Sequence, residues 1–587
     1  MKKKLLLFLT LMVLIPLNVF AEELKIDWLK SWGGSNYDYL QSAFITDDGG
    51  FIVLGKTDSD DVDGLQHYGS TDAVILKYDQ DGNLLWQKNW GGNGSDILYD
   101  LTLLDDGSFI AEGISSSTDI NGLTNLGKND GVVVKFDKNG NMLWQKNWGG
   151  KENDYFRKML VMNDGSFFVV GESSSTDIDG LTNKGSIDAI LLKYDKNGNL
   201  LWQKNWGGNK NDKFANILYV NNDEFIVVGS TYSTDLEGLP WKGNADFVFI
   251  KYDKNGNIIW NIRWGGSGEE IFADIDLTDD GGFVVSGGTY SSDIEGLTLT
   301  QSPLEQDAIL LKFDKDGKLV WQKSNQTFSK YSNTIVLPDG NLFVNPSNND
   351  TLIKYDKNGN ILWEKSLDGE KSSDYFTGIF STEDGGVVAY GALFSLNIPD
   401  LPNKGGTDNV IVKFDKDGNI VWKTSFGGTS TDRTMLIIPK NRNTFIEIGY
   451  TMSSDIDGIL YKGQFDLTFA KYVVKYNIVN IDSDNGSFES VQNENYGIVN
   501  PSPDKGYEVD KIIVKDSTGN EITSVKQNTG VYSFELYDDV TVKVVFKKII
   551  ENPNTGGNIF IILMFVITIS FIGVLFAFKK PVKVYEV

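Results

Sequence analysis

A unit of about 58 residues recurs eight times between Trp28 and Tyr476, marked by Trp28, Trp86, Trp144, Trp202, Trp260, Trp321, Trp363 and Trp422. The marker spacings are 58, 58, 58, 58, 61, 42 and 59, so one short unit interrupts a near-constant period. A fixed period of this size specifies an array of like structural units before any single residue is interpreted. The clearest copies end Tyr-Asp-Lys-Asn-Gly-Asn-Leu-Leu-Trp-Gln-Lys-Asn-Trp-Gly-Gly, as at residues 194–208.

Residues 144–202 serve as the pattern. Trp144 to Trp148 alternates bulky and polar residues until Gly149-Gly150 breaks the run. Tyr155 to Met162 is a second candidate strand, stopped by Asn163-Asp164-Gly165, and Phe167 to Gly171 is a third. That third run is short and continuously apolar, as in strands buried on both faces. A polar loop, Ser173 to Ser186, leads to a fourth candidate, Asp188 to Tyr194, closed by the turn Asp195 to Gly198. Strands bounded by Asp-Gly and Asn-Gly turns read as antiparallel hairpins, and nothing in the units has helical periodicity. Four antiparallel strands per repeat predict β-propeller blades. The short sixth unit keeps Ser332 to Leu337, Leu342 to Val344 and Thr351 to Tyr355 and loses the long loop between strands three and four. The expected fold is all-β: eight four-stranded blades over residues 22–476, with seven blades and one displaced unit as the alternative.

The recurrent marker tryptophan reads as a blade-docking residue, because a large flat side chain at one place in every unit can bury area against its neighbour. A stacked ligand platform is the competing reading. The second tryptophan (Trp32, Trp90, Trp148, Trp206, Trp264) is missing from units six to eight, with Phe426 in its place in the last. It reads as less constrained and more open to a surface role.

The succession Gly-Phe-Ile-Val-x-Gly, Ser-x-x-Asp, Asp-Ala-x-x-x-Lys-Tyr-Asp-x-x-Gly-Asn-x-x-Trp and Gly-Gly-x-x-x-Asp resembles the bacterial β-propeller repeat called SBBP. Units one to five carry it almost completely and units seven and eight in part. The resemblance implies a secreted or surface protein with no common enzymatic activity. The segment Asp-x-x-Gly-x-x-x-Trp also resembles the docking half of quinoprotein propeller repeats, and no cofactor residue is carried over from it.

The chain ends carry their own signals. Residues 1–21 have Lys2, Lys3 and Lys4, an apolar stretch and a small residue at Ala21, the pattern of a secretory signal peptide. Residues 558–578 form a largely apolar, uncharged stretch long enough to span a bilayer. Lys579, Lys580 and Lys583 in the tail, residues 579–587, place that tail in the cytoplasm by the positive-inside rule. A linker, residues 549–557, holds Asn552-Pro553-Asn554-Thr555-Gly556 directly before the apolar stretch. Motif, apolar stretch and basic tail in that order resemble a Gram-positive sortase sorting signal, departing from the commonest form in having Asn552 first. The resemblance implies cleavage after Thr555 and attachment to peptidoglycan; a single-pass membrane anchor is the alternative. Residues 477–548 contain no tryptophan and read as short strands with Gly and Pro turns. They resemble the divergent internalin-B-type repeat, a small β-grasp-like module whose default role is a spacer.

The formal net charge is −26, which disfavours nucleic acid and anionic membrane as partners. The acids are patterned. The long loops repeat Asp177/Asp179, Asp235/Glu237, Asp293/Glu295 and Asp455/Asp457, with Asp119 beside Asn121, and unit one has Asp58, Asp60, Asp61 and Asp63. Of these, Asp58, Asp61, Asp63, Asp177, Asp179, Asp235, Glu237, Asp293 and Glu295 are the candidate calcium ligands, since carboxylates two apart before a glycine can wrap a hard cation. Ordinary Asx-turn chemistry explains the same residues. Asp38, Asp96, Asp154, Asp212, Glu270 and Asp432 recur after the Gly-Gly pair, which points to loop fastening.

Catalytic resources are thin. The chain has one histidine, His67, read as a solvated loop residue, and no cysteine, so imidazole-based triads and thiol nucleophiles drop out. No unit stands out by an isolated, non-repeating acid in an apolar setting. The expectation is a non-catalytic, cell-surface binding or adhesion module for a glycan or an extracellular protein, with no cofactor beyond calcium as an option. The competing classes are a carbohydrate-active or quinoprotein-like propeller enzyme, and a structural surface-layer component.

Overall fold

A computed structural model describes residues 23–549 except 222, 301, 303 and 368–373. The expected signal peptide, the Asn552–Gly556 motif, the apolar stretch and the tail lie outside the described residues.

The chain is all-β, with no helix among the described residues, and its strands form ten four-stranded sheets. Eight belong to the repeat array and resemble propeller blades. Sheets 1 to 7 are sequence-local, covering residues 38–90, 96–148, 154–206, 212–264, 270–325, 331–365 and 375–426, each with its four strands side by side in chain order. Sheet 8 takes Asp432–Asn441, Thr444–Thr451 and Asp466–Lys475 from the end of the array and Glu23–Trp32 from its start. That first strand of the chain pairs antiparallel with Asp466–Lys475, from Glu23 opposite Lys475 to Trp32 opposite Leu467.

The tryptophan-to-tryptophan unit therefore straddles two sheets, which corrects the grouping read from sequence. Met142–Trp148 pairs with Asp130–Phe136 and is the fourth strand of sheet 2, not the first strand of sheet 3. The reason is local. The Asp137–Gly140 turn reverses the chain within hydrogen-bonding reach, Gly140 N donating to Asp137 O at 2.9 Å, whereas Gly149-Gly150 carries it onward to the next sheet.

Each sheet is built to be covered. Its second and third strands are buried almost throughout, as at Phe167–Ser173 and Asp188–Tyr194, because a neighbouring sheet lies on either face. This explains their unbroken apolar runs. Bulges recur in the first strand, as between Phe156 and Lys158, and between strands three and four, as at Lys193/Tyr194. Such irregularities add twist to a sheet.

The hydrophobic clusters lie between successive sheets: Val74 and Leu76 with Ile448 and Phe469, Leu98 and Phe109 with Ile52 and Leu54, and so along the array. The first of these joins sheet 1 to sheet 8. First strands likewise touch their neighbours in sequence, and Asp38–Ile45 touches Asp432–Asn441.

The marker tryptophans occupy the same seams. Trp28, Trp144, Trp260 and Trp422 stack on Phe51, Phe167, Phe283 and Phe445 of the following sheet at 6.1, 6.2, 6.2 and 6.0 Å between ring centroids. Trp86, Trp202, Trp321 and Trp363 lie against Gly140, Gly256, Gly359 and Gly418 in the turn of the following sheet. The second tryptophan differs from its sequence reading. Trp32, Trp90, Trp148 and Trp264 are buried, and their Nε1–H groups donate to Gln87, Gln145, Gln203 and Gln322 of the next sheet at 2.8, 2.8, 2.7 and 3.1 Å. An indole at the end of a fourth strand faces the neighbouring sheet, so both its area and its donor are used there.

Residues 478–548 form the two remaining sheets, whose inner faces share Val499, Phe534, Val514, Val540, Val542 and Phe546. A second sheet stands where a β-grasp would lay a helix. The same cluster continues into Tyr472, Val474 and Tyr476 of the array, so module and sheet 8 share one core. Polar ties reinforce the joint. Asn443, oriented by Tyr476 Oη donating to its Oδ1 at 3.1 Å within the array, donates from Nδ2 to Leu536 O of the module at 2.7 Å, and Lys440 pairs with Glu494 of the module at 3.0 Å. Lys440 and Asn443 flank the tight turn between the first two strands of sheet 8, so the module covers the end of that sheet opposite its long loop.

Candidate functional site

Where a sheet has both, the long loop between its second and third strands and the Gly-Gly linker that leads into it lie together at one end. In sheet 3, Asp154 accepts from Gly150 N at 2.7 Å and from Ser175 Oγ at 2.7 Å, while Glu152 N donates to Ser175 Oγ at 3.0 Å. Lys151 N donates to Asp177 Oδ1 at 3.0 Å. The same bond is made by Ser35 N to Asp61, Asn93 N to Asp119, Asn209 N to Asp235, Ser267 N to Asp293 and Thr429 N to Asp455, at 2.7 to 2.9 Å. These backbone donors hold Asp61, Asp177, Asp293 and Asp455 below the usual carboxylate range.

The calcium candidates are thus distributed rather than gathered. Asp61, Asp177, Asp235 and Asp293 fasten the linker, and their companions Asp63, Asp179, Glu237 and Glu295 point into solvent. Asp58 accepts from Thr71 Oγ1 at 2.7 Å. Among the described residues no three acidic or imidazole side chains converge as a metal site requires. Backbone carbonyls of the second positions serve another purpose: Gln203 Nε2 donates to Asp179 O at 2.5 Å while its Oε1 receives Trp148. Tryptophan, glutamine and loop carbonyl thereby link one sheet to the loop of the next. A cleft of about 340 Å³ between the loops of sheets 3 and 4 is lined by Lys184, Trp206, Asp235 and Glu237.

His67 departs from its reading as a solvated residue. Its side chain is 7% exposed, and Nδ1 lies 2.7 Å from Asp60 Oδ1. The imidazole has an apolar body that the fold of the loop covers.

Non-repeating acids also exist, which corrects the sequence reading that found none. On the first strands, Ser42 Oγ donates to Asp100 Oδ1 at 2.7 Å and Lys158 Nζ pairs with Asp100 Oδ2 at 2.6 Å, spanning three successive sheets. Asp274 and Asp276 accept from Thr334 N and Val336 N of sheet 6, both at 2.9 Å. Burial pushes the Asp274 carboxyl up to about 7. Glu447, in the second strand of sheet 8, is fully buried with both carboxyl oxygens unpartnered. It replaces the valine found at Val53, Val169 and Val227 in the same Phe-x-Val pattern. A repeat scan that weighs only shared positions passes over such replacements; aligning the units and asking where a valine becomes an acid finds this one. The first-strand acids are engaged by backbone donors or Lys158, so they tie sheets together.

No family model matches the chain. Over 173 residues it is 28% identical to the regulatory protein FlaEY of Caulobacter vibrioides, a stretch covering 27% of this chain and 18% of that protein's length. Among solved structures, the C-terminal WD40 domain of Sif2 aligns with a TM-score of 0.43 at 9% identity, covering 77% of this chain and 99% of that domain. The WD40 domain of Neurospora crassa Pan2 aligns with a TM-score of 0.34 at 9% identity, covering 75% and 95%. Apocarotenoid oxygenase of Synechocystis gives 0.34 at 11% identity, covering 70% and 93%.

Proposed function

We propose that this chain is a displayed binding protein: a closed ring of eight SBBP-type blades, carried outside the cell on an internalin-B-type spacer and anchored through its C-terminus. The pairing of Glu23–Trp32 with Asp466–Lys475, and the core that sheets 1 and 8 share, support ring closure. Residues 1–21 act as the leader, and Asn552–Gly556 with residues 558–578 act as a sortase substrate that delivers the ring to peptidoglycan, or as a membrane anchor.

One observation carries the reading. Residues 478–548 pack on the tight-turn end of sheet 8, which supports a reading in which they are the spacer and the end bearing the long, variable loops faces away from the anchor. That end is the contact surface for a glycan or an extracellular protein, calcium being an optional aid and catalysis no part of the role. Sheet 6 makes a clean test feasible, because it forms its four strands with a short turn in place of the long loop. The full chain, with and without calcium, is to be probed on glycan and protein arrays. Grafting the sheet 6 turn into sheets 1 to 4 should abolish the capture seen with the parent, and unchanged capture would refute the assignment.

A further inference from the structure

Junctions built on Gly-Gly linkers bring two buried acids over one glycine. An ideal Cβ on Gly149 would lie 2.7 Å from Asp130 Oδ1 and 2.8 Å from Asp154 Oδ2; on Gly33 it would lie 2.6 Å from Asp466 Oδ1 and 2.7 Å from Asp38 Oδ2. Asp72 and Asp96 meet over Gly91 in the same way, and Asp408 and Asp432 over Gly427. All eight carboxylates are at most 1% exposed.

The two members of a pair are not equivalent. The acid heading a first strand is rich in donors: Asp96 accepts from Gly92 N at 2.8 Å, Ser115 Oγ at 2.5 Å and Ser117 Oγ at 2.6 Å. The acid heading a third strand accepts through Oδ2 alone, Asp130 from Leu126 N at 3.0 Å and Asn147 Nδ2 at 2.8 Å. Oδ1 of Asp72, Asp130, Asp408 and Asp466 is buried without a partner. Two ionised carboxylates cannot share a dry site, since each charge loses hydration and repels the other.

Two further junctions vary the arrangement. At Asp188, facing Asp212, Gly185 N donates to the corresponding Oδ1 at 3.1 Å, so the free oxygen is served. At Asp246, facing Glu270, Arg263 stands where the other units have Asn89, Asn147 and Asn205, and its guanidinium pairs with Asp246 Oδ2. Asp246 Oδ1 and Glu270 Oε2 still meet over Gly265 without a donor, so the cation meets the charge and leaves the two facing oxygens as they are in the other pairs.

We propose that the four pairs Asp72–Asp96, Asp130–Asp154, Asp408–Asp432 and Asp466–Asp38 are each a carboxylic acid hydrogen-bonded to a carboxylate, the third-strand acid holding one proton and donating it to the donor-rich acid of the next sheet, whose three donors leave one acceptor position open. A calcium ion would need six to eight oxygen ligands there; the first-strand acids instead face N–H and O–H donors, and the glycine backbone fills the gap. The charged groups facing the pairs are few: Asp58 near Asp38, His67 near Asp72, Lys404 and Asp455 near Asp408, and Lys462 near Asp466. Burial raises Asp72 and Asp130, and also the first-strand acids Asp38 and Asp154, above the usual carboxylate range, and lifts Asp408 and Asp466 to about 6; the proton is assigned to the third-strand acid on the donor geometry. Because the folded chain keeps protons that the unfolded chain releases, this contribution is complete below the usual carboxylate range and is lost as pH rises through about 6.

The test uses the full chain carrying Glu447→Gln, to silence that separate buried acid, as parent. Asp72→Asn, Asp130→Asn and Asp408→Asn combined put an amide donor where the acid proton sits. The variant should fold, its Tm relative to the parent should rise as pH is raised from about 4 to about 7, and proton uptake on folding should fall by about three. The parent should show an infrared carbonyl stretch of protonated carboxyl groups that weakens in the variant. Asp154→Asn, which turns an acceptor against three donors, should lower Tm at every pH. Equal destabilisation by Asp130→Asn and Asp154→Asn, absence of the protonated-carboxyl band, or a Tm that falls with chelator at neutral pH would each overturn the proposal, the last in favour of a metal.

Discussion

At the scale of single residues, the array tolerates replacements only where the local environment can absorb them, and Glu447 is the position under most tension. It lies in the second strand of sheet 8 between Ile437 and Ala470, where sheets 1, 3 and 4 have valine. Burial pushes its carboxyl up to about 8, an effect that the nearby Thr434 hydroxyl offsets in part. The folded chain therefore holds a proton that the unfolded chain gives up, and stability declines from the ordinary glutamate range up to about pH 8. Glu447→Gln is expected to flatten that decline. Glu447→Val is expected to stabilise by about 1–3 kcal/mol, the cost of burying an unpartnered polar group. Thermal melts across this pH range read both effects, and a loss of stability in Glu447→Val would show that the carboxyl has a partner.

At the scale of strands and loops, what was legible in the sequence was whatever recurs. The Asp-x-x-Gly turns, the apolar second and third strands and the loss of the long loop from unit six follow from residues that repeat at fixed spacing. The phase of the sheets did not follow. Periodicity is blind to where a unit starts, and the decision between the tight turn at Asp137–Gly140 and the linker at Gly149-Gly150 depends on which one keeps strands in hydrogen-bonding reach. The roles of Trp148, Gln203 and Asp179 were hidden for a related reason: they act together across two sheets, so each looks like an ordinary strand or loop residue by itself. Their linkage is measurable. Trp148→Phe removes the donor and Gln203→Leu the acceptor and the loop tie, so each should cost about 1–2 kcal/mol. The double variant should cost less than the sum, since the bond is counted in both singles. Additive costs in a urea-unfolding cycle would mean that indole and amide act independently.

At the scale of the whole molecule, the ends of the chain matter more than its middle. The first strand completes the last sheet, and the module after the array shares that sheet's core, so sheet 8 gathers contributions from residues 23–32, 432–475 and 478–548. A spacer joined by a flexible tether would unfold by itself, with its own midpoint. Here Tyr472, Val474 and Tyr476 pack with Val499, Phe534 and Val540, and Asn443 donates hydrogen bonds across the joint to Leu536 O and Asn495 Oδ1. Separating the two would expose apolar surface and strand a buried amide, each of which costs free energy. The full chain should therefore lose the module and sheet 8 in one transition, seen as the same urea midpoint for amide protection in Val540–Lys548 and in Asp466–Lys475. Asn443→Ala together with Glu494→Ala, which cuts the polar ties and leaves the apolar core, should lower that shared midpoint. If the module strands lose protection well before those of sheet 8, the joint is a contact between independent units and the long-loop end is free to reorient relative to the module.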